Sequence, residues 1–137
     1  MHPKLQIVTQ PTPLEKTGNL SRHLGIDLYV KRDDLAGPTF GGNKSRQLEY
    51  YFGAARAEKA DTILITGAVQ SNFARLAAAV ANKNGMQAIV QLEDRVKGKP
   101  KQYKASGNVL LSGILGAEII HYPEGEDEEG ADAALHQ

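Results

Sequence analysis

The sequence predicts an α/β protein, an open parallel sheet flanked by helices. Three observations carry that expectation. Short apolar, β-branched runs ("TILIT", "QAIVQL", "AEIIHY") recur along the chain, helical stretches alternate with them, and Gly85 and Gly116 stand where two of those helices should stop. Strands alternating with helices imply parallel strands joined by right-handed crossovers.

The elements follow in order. The opening segment to about Ser21 is rich in Pro and Thr and reads as extended or turning chain lying across another surface. "IDLYVKRDD" predicts a short strand with alternating Ile26, Leu28 and Val30. In "NKSRQLEYYFGAARAEKA" the spacing of Leu48, Phe52 and Ala55 predicts a half-buried helix. "TILIT" and the helix "SNFARLAAAVANKNG" form the next unit. "QAIVQL", the short helix "SGNVLLSGILG" with Ser106 as its cap, and "AEIIHY" form another. The basic stretch "EDRVKGKPKQYKAS" contains one aromatic, too little for stacking on bases, and reads as a solvated loop. The tail "PEGEDEEGADAALHQ" reads as the first turns of a further helix with nothing to pack on, so the chain is expected to stop mid-architecture.

Composition narrows the function classes. The chain has 137 residues, one domain of ordinary size, and its 16 basic and 16 acidic side chains cancel. No overall field draws nucleic acid or an anionic membrane, so neither is expected as a partner. There is no cysteine, and the four histidines, His2, His23, His121 and His136, show no metal-ligand spacing; each reads as surface or strand edge. No run is apolar enough for a signal peptide or a membrane span, and a soluble cytoplasmic protein is the expectation.

Two motifs could carry chemistry. "GPTFGGNKS" is one residue removed from a phosphate-cradling loop, but Asn43 stands between Gly42 and Lys44. The insertion turns the lysine off the phosphate face, and "TILITG" ends without the aspartate that would hold magnesium. A lysine after two glycines suits covalent attachment of a cofactor instead, because the backbone there can be approached closely. Lys31, Arg32 and Arg46 are the neighbouring cations that could activate its amine. The second motif, "TGAVQSN", joins a strand to a helix, and Gln70, Ser71 and Asn72 there form a cup for a carboxylate or phosphate. Ser71 or Asn72 could equally be a plain helix cap. Both motifs fall at the carboxyl ends of strands, where open α/β sheets bind ligands.

Together "PTPLEK", "YVKRDDL", "GGNKSRQLEY", "GAVQSNFAR" and "SGNVLLSGILGAEIIHY" resemble the D-cysteine desulfhydrase and 1-aminocyclopropane-1-carboxylate deaminase family. These are pyridoxal-phosphate enzymes built like the tryptophan synthase β chain, and the resemblance runs through nearly the whole chain. It implies that Lys44 matches the lysine that bonds pyridoxal 5'-phosphate covalently and shuttles protons. It also implies that Asn72 matches the asparagine on the cofactor's 3-hydroxyl, and that Gln70 and Ser71 belong with Asn72 to the loop receiving the substrate carboxylate. The implied reaction removes the amine of a small amino acid, giving an α-keto acid and ammonia, with sulfide if the substrate is D-cysteine.

Two departures stand out. Family members commonly carry His after "QSN", where this chain has Phe73, which bears on substrate preference. The family's chain is also more than twice as long, and no second glycine-rich phosphate loop follows Asn108 here. The resemblance therefore implies an N-terminal portion of an incomplete two-domain enzyme: residues 1–44 from the larger cofactor domain and 45–137 forming the smaller α/β domain. Family members associate as homodimers. The alternative is a non-catalytic α/β binding module that has lost the cofactor's phosphate site.

Overall fold

The computed structural model describes residues 2–9 and 11–135. Three parallel strands form the sheet: β3 (Thr62–Ala68), β4 (Gln87–Glu93) and β5 (Glu118–Tyr122) lie side by side in that order. Thr62 pairs with Gln87 and Ala68 with Glu93, while Ile89 pairs with Glu118 and Glu93 with Tyr122. These are the three apolar runs of the sequence, in the expected α/β arrangement. Helix α2 (Ser45–Ala57) precedes β3, α3 (Asn72–Lys83) joins β3 to β4, and α4 (Asn108–Ile114) precedes β5.

Helix α3 is the centre of the core. Every residue from Ala74 to Ala81 is buried, because alanines let the helix approach β3, β4, α2 and α4 closely. Leu48 and Phe52 of α2, Ile65 of β3, Val90 and Leu92 of β4 and Val109 of α4 close around it. Gly85 and Gly116 end their helices with φ of 70° and 83°, a left-handed turn that costs glycine little.

The N-terminal half differs from the sequence reading. Strand β1 (Leu14–Lys16) pairs antiparallel with β2 (Tyr29–Lys31), and a short helix α1 (Gly18–Leu24) lies between them. Only Ser21 of α1 is buried, so no apolar stripe marked it. The strand expected around Ile26, Leu28 and Val30 shrinks to three residues, and Ile26 and Val30 are exposed. The opening segment does lie across another surface. The Leu5 amide donates to the Glu49 main-chain carbonyl at 2.8 Å, and Leu5 and Ile7 enter the core.

Glu49, buried on α2, is the anchor of that segment. Its carboxylate accepts from the amides of Ile7 (3.0 Å) and Val8 (2.9 Å) and pairs with Lys4 at 2.8 Å. Burial pushes this carboxyl up, but bonds from Lys4, Val8 and Ile7 more than offset it and hold it below the ordinary range. Glu49→Ala strips these amides of their acceptor, roughly 1–3 kcal/mol for each that stays buried. The expected result is a melting temperature lower by several degrees, with residues 4–8 becoming sensitive to protease; an unchanged melt would contradict this anchoring.

At the other end, helix α5 (Glu128–Leu135) does find something to pack on. Ala131 is buried and its carbonyl accepts from Gln91 Nε2 at 2.7 Å. The Asp127 carboxylate accepts from the Gly130 amide, capping the helix. The basic loop is solvated, as expected, with Lys97, Lys99 and Lys101 exposed. His2, His23 and His121 are exposed, and His136 lies outside the described residues.

Candidate functional site

Lys44 stands at the start of α2, at the end of a loop that is tied at several points. The Asp33 carbonyl accepts from the Gly42 amide at 2.7 Å, and Ser45 Oγ donates to the Ala36 carbonyl at 2.5 Å. The Asp33 carboxylate takes both terminal nitrogens of Arg46, at 2.8 and 3.0 Å, and the Thr12 hydroxyl at 3.0 Å. Within the loop Thr39, Phe40, Gly41 and Gly42 all have positive φ, at 47°, 64°, 51° and 110°. A β-branched and an aromatic residue in this region are strained, and such strain persists only where the surroundings enforce it. Part of the enforcement comes from α3, since Arg75 Nη1 donates to the Thr39 carbonyl and its guanidinium lies 5.8 Å from the Phe40 ring centre.

The hydrogen bonds from Arg46 and Thr12 hold the Asp33 carboxyl at about 2, below the usual carboxylate value. A depressed carboxylate contributes its stability fully above the unfolded pKa, about 3.9, and loses it as pH falls through the folded value. The loop around Lys44 is therefore expected to keep its protection against proteolysis down to about pH 4 and to lose it between about 4 and about 2. Asp33→Asn should abolish that acid transition at the loop; a transition that survives the substitution would contradict its assignment to Asp33.

Lys44 faces a cleft of about 350 Å³, lined also by Phe40, Gly41, Gly42, Asn43, Asn72, Arg75, Asn108 and Leu111. Its size falls in the range of small-molecule sites, roughly 300–1,000 Å³. Two cations and three amides line it without a carboxylate, and Phe40 and Leu111 add apolar surface. A flat ring with an anionic substituent fits such a lining. Lys44 and Asn72, far apart in the chain, are thus brought together.

Gln70 and Ser71 are placed differently. Ser71 Oγ accepts from the Ala74 amide at 3.1 Å, the N-cap of α3. The Gln70 side chain turns toward the loop before α4: its Nε2 donates to the carbonyls of Tyr103 (2.6 Å) and Ser106 (3.0 Å), and its Oε1 accepts from the Asn108 amide at 2.9 Å. Gln70 therefore does the capping expected of Ser106, whose hydroxyl donates to the Gln102 carbonyl instead. Neither Gln70 nor Ser71 is among the residues lining the cleft.

The cations expected near Lys44 are engaged elsewhere. Arg32 pairs with Asp34 and Glu15, Arg46 with Asp33, and Lys31 donates to Thr12. The cation in the lining besides Lys44 is Arg75, 5% exposed, with burial lowering its pKa and its buried Nε without a hydrogen-bond partner among the described residues. An arginine three residues after Asn72 on one helix, inside an alanine-rich run, was the available signal. Asn108 is the other residue missed; its Nδ2 donates to the Gln70 carbonyl at 2.8 Å and to Asn72 Oδ1 at 3.0 Å. Phe73 packs edge-on against Tyr51 at 6.3 Å, and it too is absent from the lining.

Against known families, residues 5–137 match the model described as pyridoxal-phosphate dependent enzyme. The chain belongs to that family. Two curated relatives are similar to this chain over most of its length. The D-cysteine desulfhydrase of Serratia proteamaculans (strain 568) is 42% identical over 127 residues, covering 89% of this chain and 38% of that protein. The 1-aminocyclopropane-1-carboxylate deaminase of Methylobacterium nodulans (strain LMG 21967 / CNCM I-2342 / ORS 2060) is 47% identical over 120 residues, covering 85% and 36%. The chain spans little more than a third of the length of these relatives. Among solved structures, an ACC deaminase homologue superposes with a TM-score of 0.81 at 37% identity, over 98% of this chain and 39% of its own. The processed form of threonine deaminase isoform 2 from Solanum lycopersicum, at 0.66 and 23% identity, shares the fold. Among the described residues of this pyridoxal-phosphate enzyme family member, no helix is long and apolar enough to cross a membrane.

Proposed function

We propose that this chain supplies the lysine-bearing wall of a pyridoxal-phosphate-dependent deaminase or desulfhydrase acting on D-cysteine, 1-aminocyclopropane-1-carboxylate or a similarly small amino acid. The observation that carries the reading is the shared cleft: Lys44 and Asn72 line it together, with no acid in the lining to compete for the amine. Bound pyridoxal phosphate supplies an electron sink for the carbon bearing the substrate's amine. Lys44 would hold the cofactor through Nζ and would take and return a proton at that atom. Asn72 would hold the ring through its side-chain amide. Phe40 and Leu111 give the cleft apolar surface for a ring to lie against. The substrate carboxylate is received at the start of α3 beside Asn72, the member of the Gln70–Ser71–Asn72 loop that lines the cleft, where a helix N-terminus favours an anion.

The same reading divides the chain into residues 1–44, part of a larger cofactor domain, and 45–137, a smaller α/β domain. Exposed Leu14, Leu20, Leu24, Ile26, Val30 and Leu35 support that division, since an apolar surface of this kind suits cover by further protein. Assembly as a homodimer and a cytoplasmic location belong to this proposal as well.

The test is spectroscopic. With pyridoxal phosphate attached to the chain, adding D-cysteine or 1-aminocyclopropane-1-carboxylate should shift the visible band, and acetate at equal concentration should not. A band that responds to neither amino acid would overturn the reading.

A further inference from the structure

We propose that Asn108 is a positioning residue for the cleft, fixing the carboxamide of Asn72 so that its Nδ2 hydrogens, and not its carbonyl, meet the ligand. The two ends of a carboxamide have nearly the same shape, so their orientation is set by partners. Backbone carbonyls settle it here, because they accept and never donate.

The chain of logic begins at Gln70. One end of its amide lies 2.6 and 3.0 Å from the carbonyls of Tyr103 and Ser106, so that end is nitrogen. The other end is then oxygen, and it meets the Asn108 amide, a donor, at 2.9 Å. Asn108's own side chain lies 2.8 Å from the Gln70 carbonyl, so its end there is nitrogen too. The same nitrogen stands 3.0 Å from Asn72, where only an acceptor satisfies its second hydrogen. Asn72 therefore turns Oδ1 to Asn108, and its Nδ2 is left on the other side with no acceptor among the described residues. Rotating any one amide would set donor against donor or carbonyl against carbonyl.

The consequence is directional. Asn72 presents donors, so it favours an ionised oxygen over a hydroxyl hydrogen on whatever enters the cleft. Without Asn108 its amide rotates freely, and half of that rotation sets a carbonyl against an anion. The packing around this network is demanding: a Cβ on Gly107, whose φ is 59°, would stand 2.6 Å from Gln70 Oε1. The identity of the ligand rests on the reading of the cleft given above, whereas the orientation of Asn72 does not.

The experiment has two arms, each with Asn108→Ala and Asn108→Asp and with melting temperature as the control for folding. In the ligand-free chain, side-chain amide resonances are recorded by NMR. Wild type should show a slowly exchanging Asn108 carboxamide, and both substitutions should move the Asn72 pair. In the chain treated with pyridoxal phosphate, wild type should hold the ring oxygen ionised and absorb mainly at the longer wavelength. Both variants should pass intensity to the near-ultraviolet band and retain the cofactor about tenfold less well or worse, as expected for a lost bond to a charged oxygen. An Asn72 resonance that stays in place in folded variants overturns the proposal. If wild type takes up no pyridoxal phosphate, it is the proposed function that fails, and the ligand-free arm still decides the role of Asn108.

Discussion

Lys44→Ala is expected to abolish covalent capture of pyridoxal phosphate while leaving the fold intact. The side chain is half-buried at the mouth of a cleft and is absent from the core, so its loss should alter stability by no more than about 0.5 kcal/mol. Arg75, Asn72 and Asn108 would remain in place to hold the ring noncovalently, but none of them carries an amine that can bond an aldehyde. The measurement is intact mass after borohydride reduction, with a thermal melt on the same sample. Loss of the adduct at an unchanged melting temperature is the expected pair of results. An adduct of equal yield in Lys44→Ala would assign the chemistry to another lysine.

Gly41→Ala should damage the same site from the backbone side. Gly41 has φ of 51°, and a Cβ there would stand 2.6 Å from the carbonyls of Asp33 and Ala36 and 2.7 Å from the Ala36 amide. All three are main-chain atoms that cannot swing away, and a left-handed alanine adds roughly 1–2 kcal/mol of its own. The loop can accept alanine only by breaking the contacts that place Lys44. Gly42 is the comparison, since a Cβ there meets nothing within 4 Å and only its φ of 110° is unfavourable. Gly41→Ala is therefore expected to slow trapping at Lys44 far more than Gly42→Ala and to lower the melting temperature further. Equal trapping by the two variants would show that the tight turn does not position the lysine.

The contrast between these glycines shows how far the sequence could be read. "GGNK" indicated that backbone is approached closely, and it is; at Gly41, however, the approaching atoms belong to Asp33 and Ala36, not to a ligand. The sheet and its helices were legible because β3, β4 and β5 each centre on a short run of apolar, mostly β-branched residues and α3 buries residues on every side. Helix α1 and strand β1 were not, because their apolar residues, among them Leu14 and Leu24, point outward and leave no periodic stripe, and β2 was legible only as part of a longer alternation from Ile26 to Val30.

The site divided in the same way. Lys44 and Asn72 could be found from local motifs, each at the start of a helix. Gln70 could not be placed, because what fixes its side chain lies 33 to 38 residues later, in the loop before α4. Arg75 and the cations expected near Lys44 exchanged roles for an electrostatic reason. Lys31, Arg32 and Arg46 found acceptors close by in the folded chain, while Arg75, in an alanine-rich helix, meets the Thr39 carbonyl and the Phe40 ring and no carboxylate among the described residues.

The central claim is that the Lys44 cleft is a pyridoxal-phosphate site. Its most direct test is to incubate the wild-type chain with pyridoxal phosphate, remove the excess by dialysis, reduce with borohydride and locate the added mass by peptide mapping. A visible band before reduction, followed by a single adduct on the peptide containing Lys44, is the predicted result. A colourless protein, or an adduct spread over exposed lysines such as Lys97, Lys99 and Lys101, would contradict it.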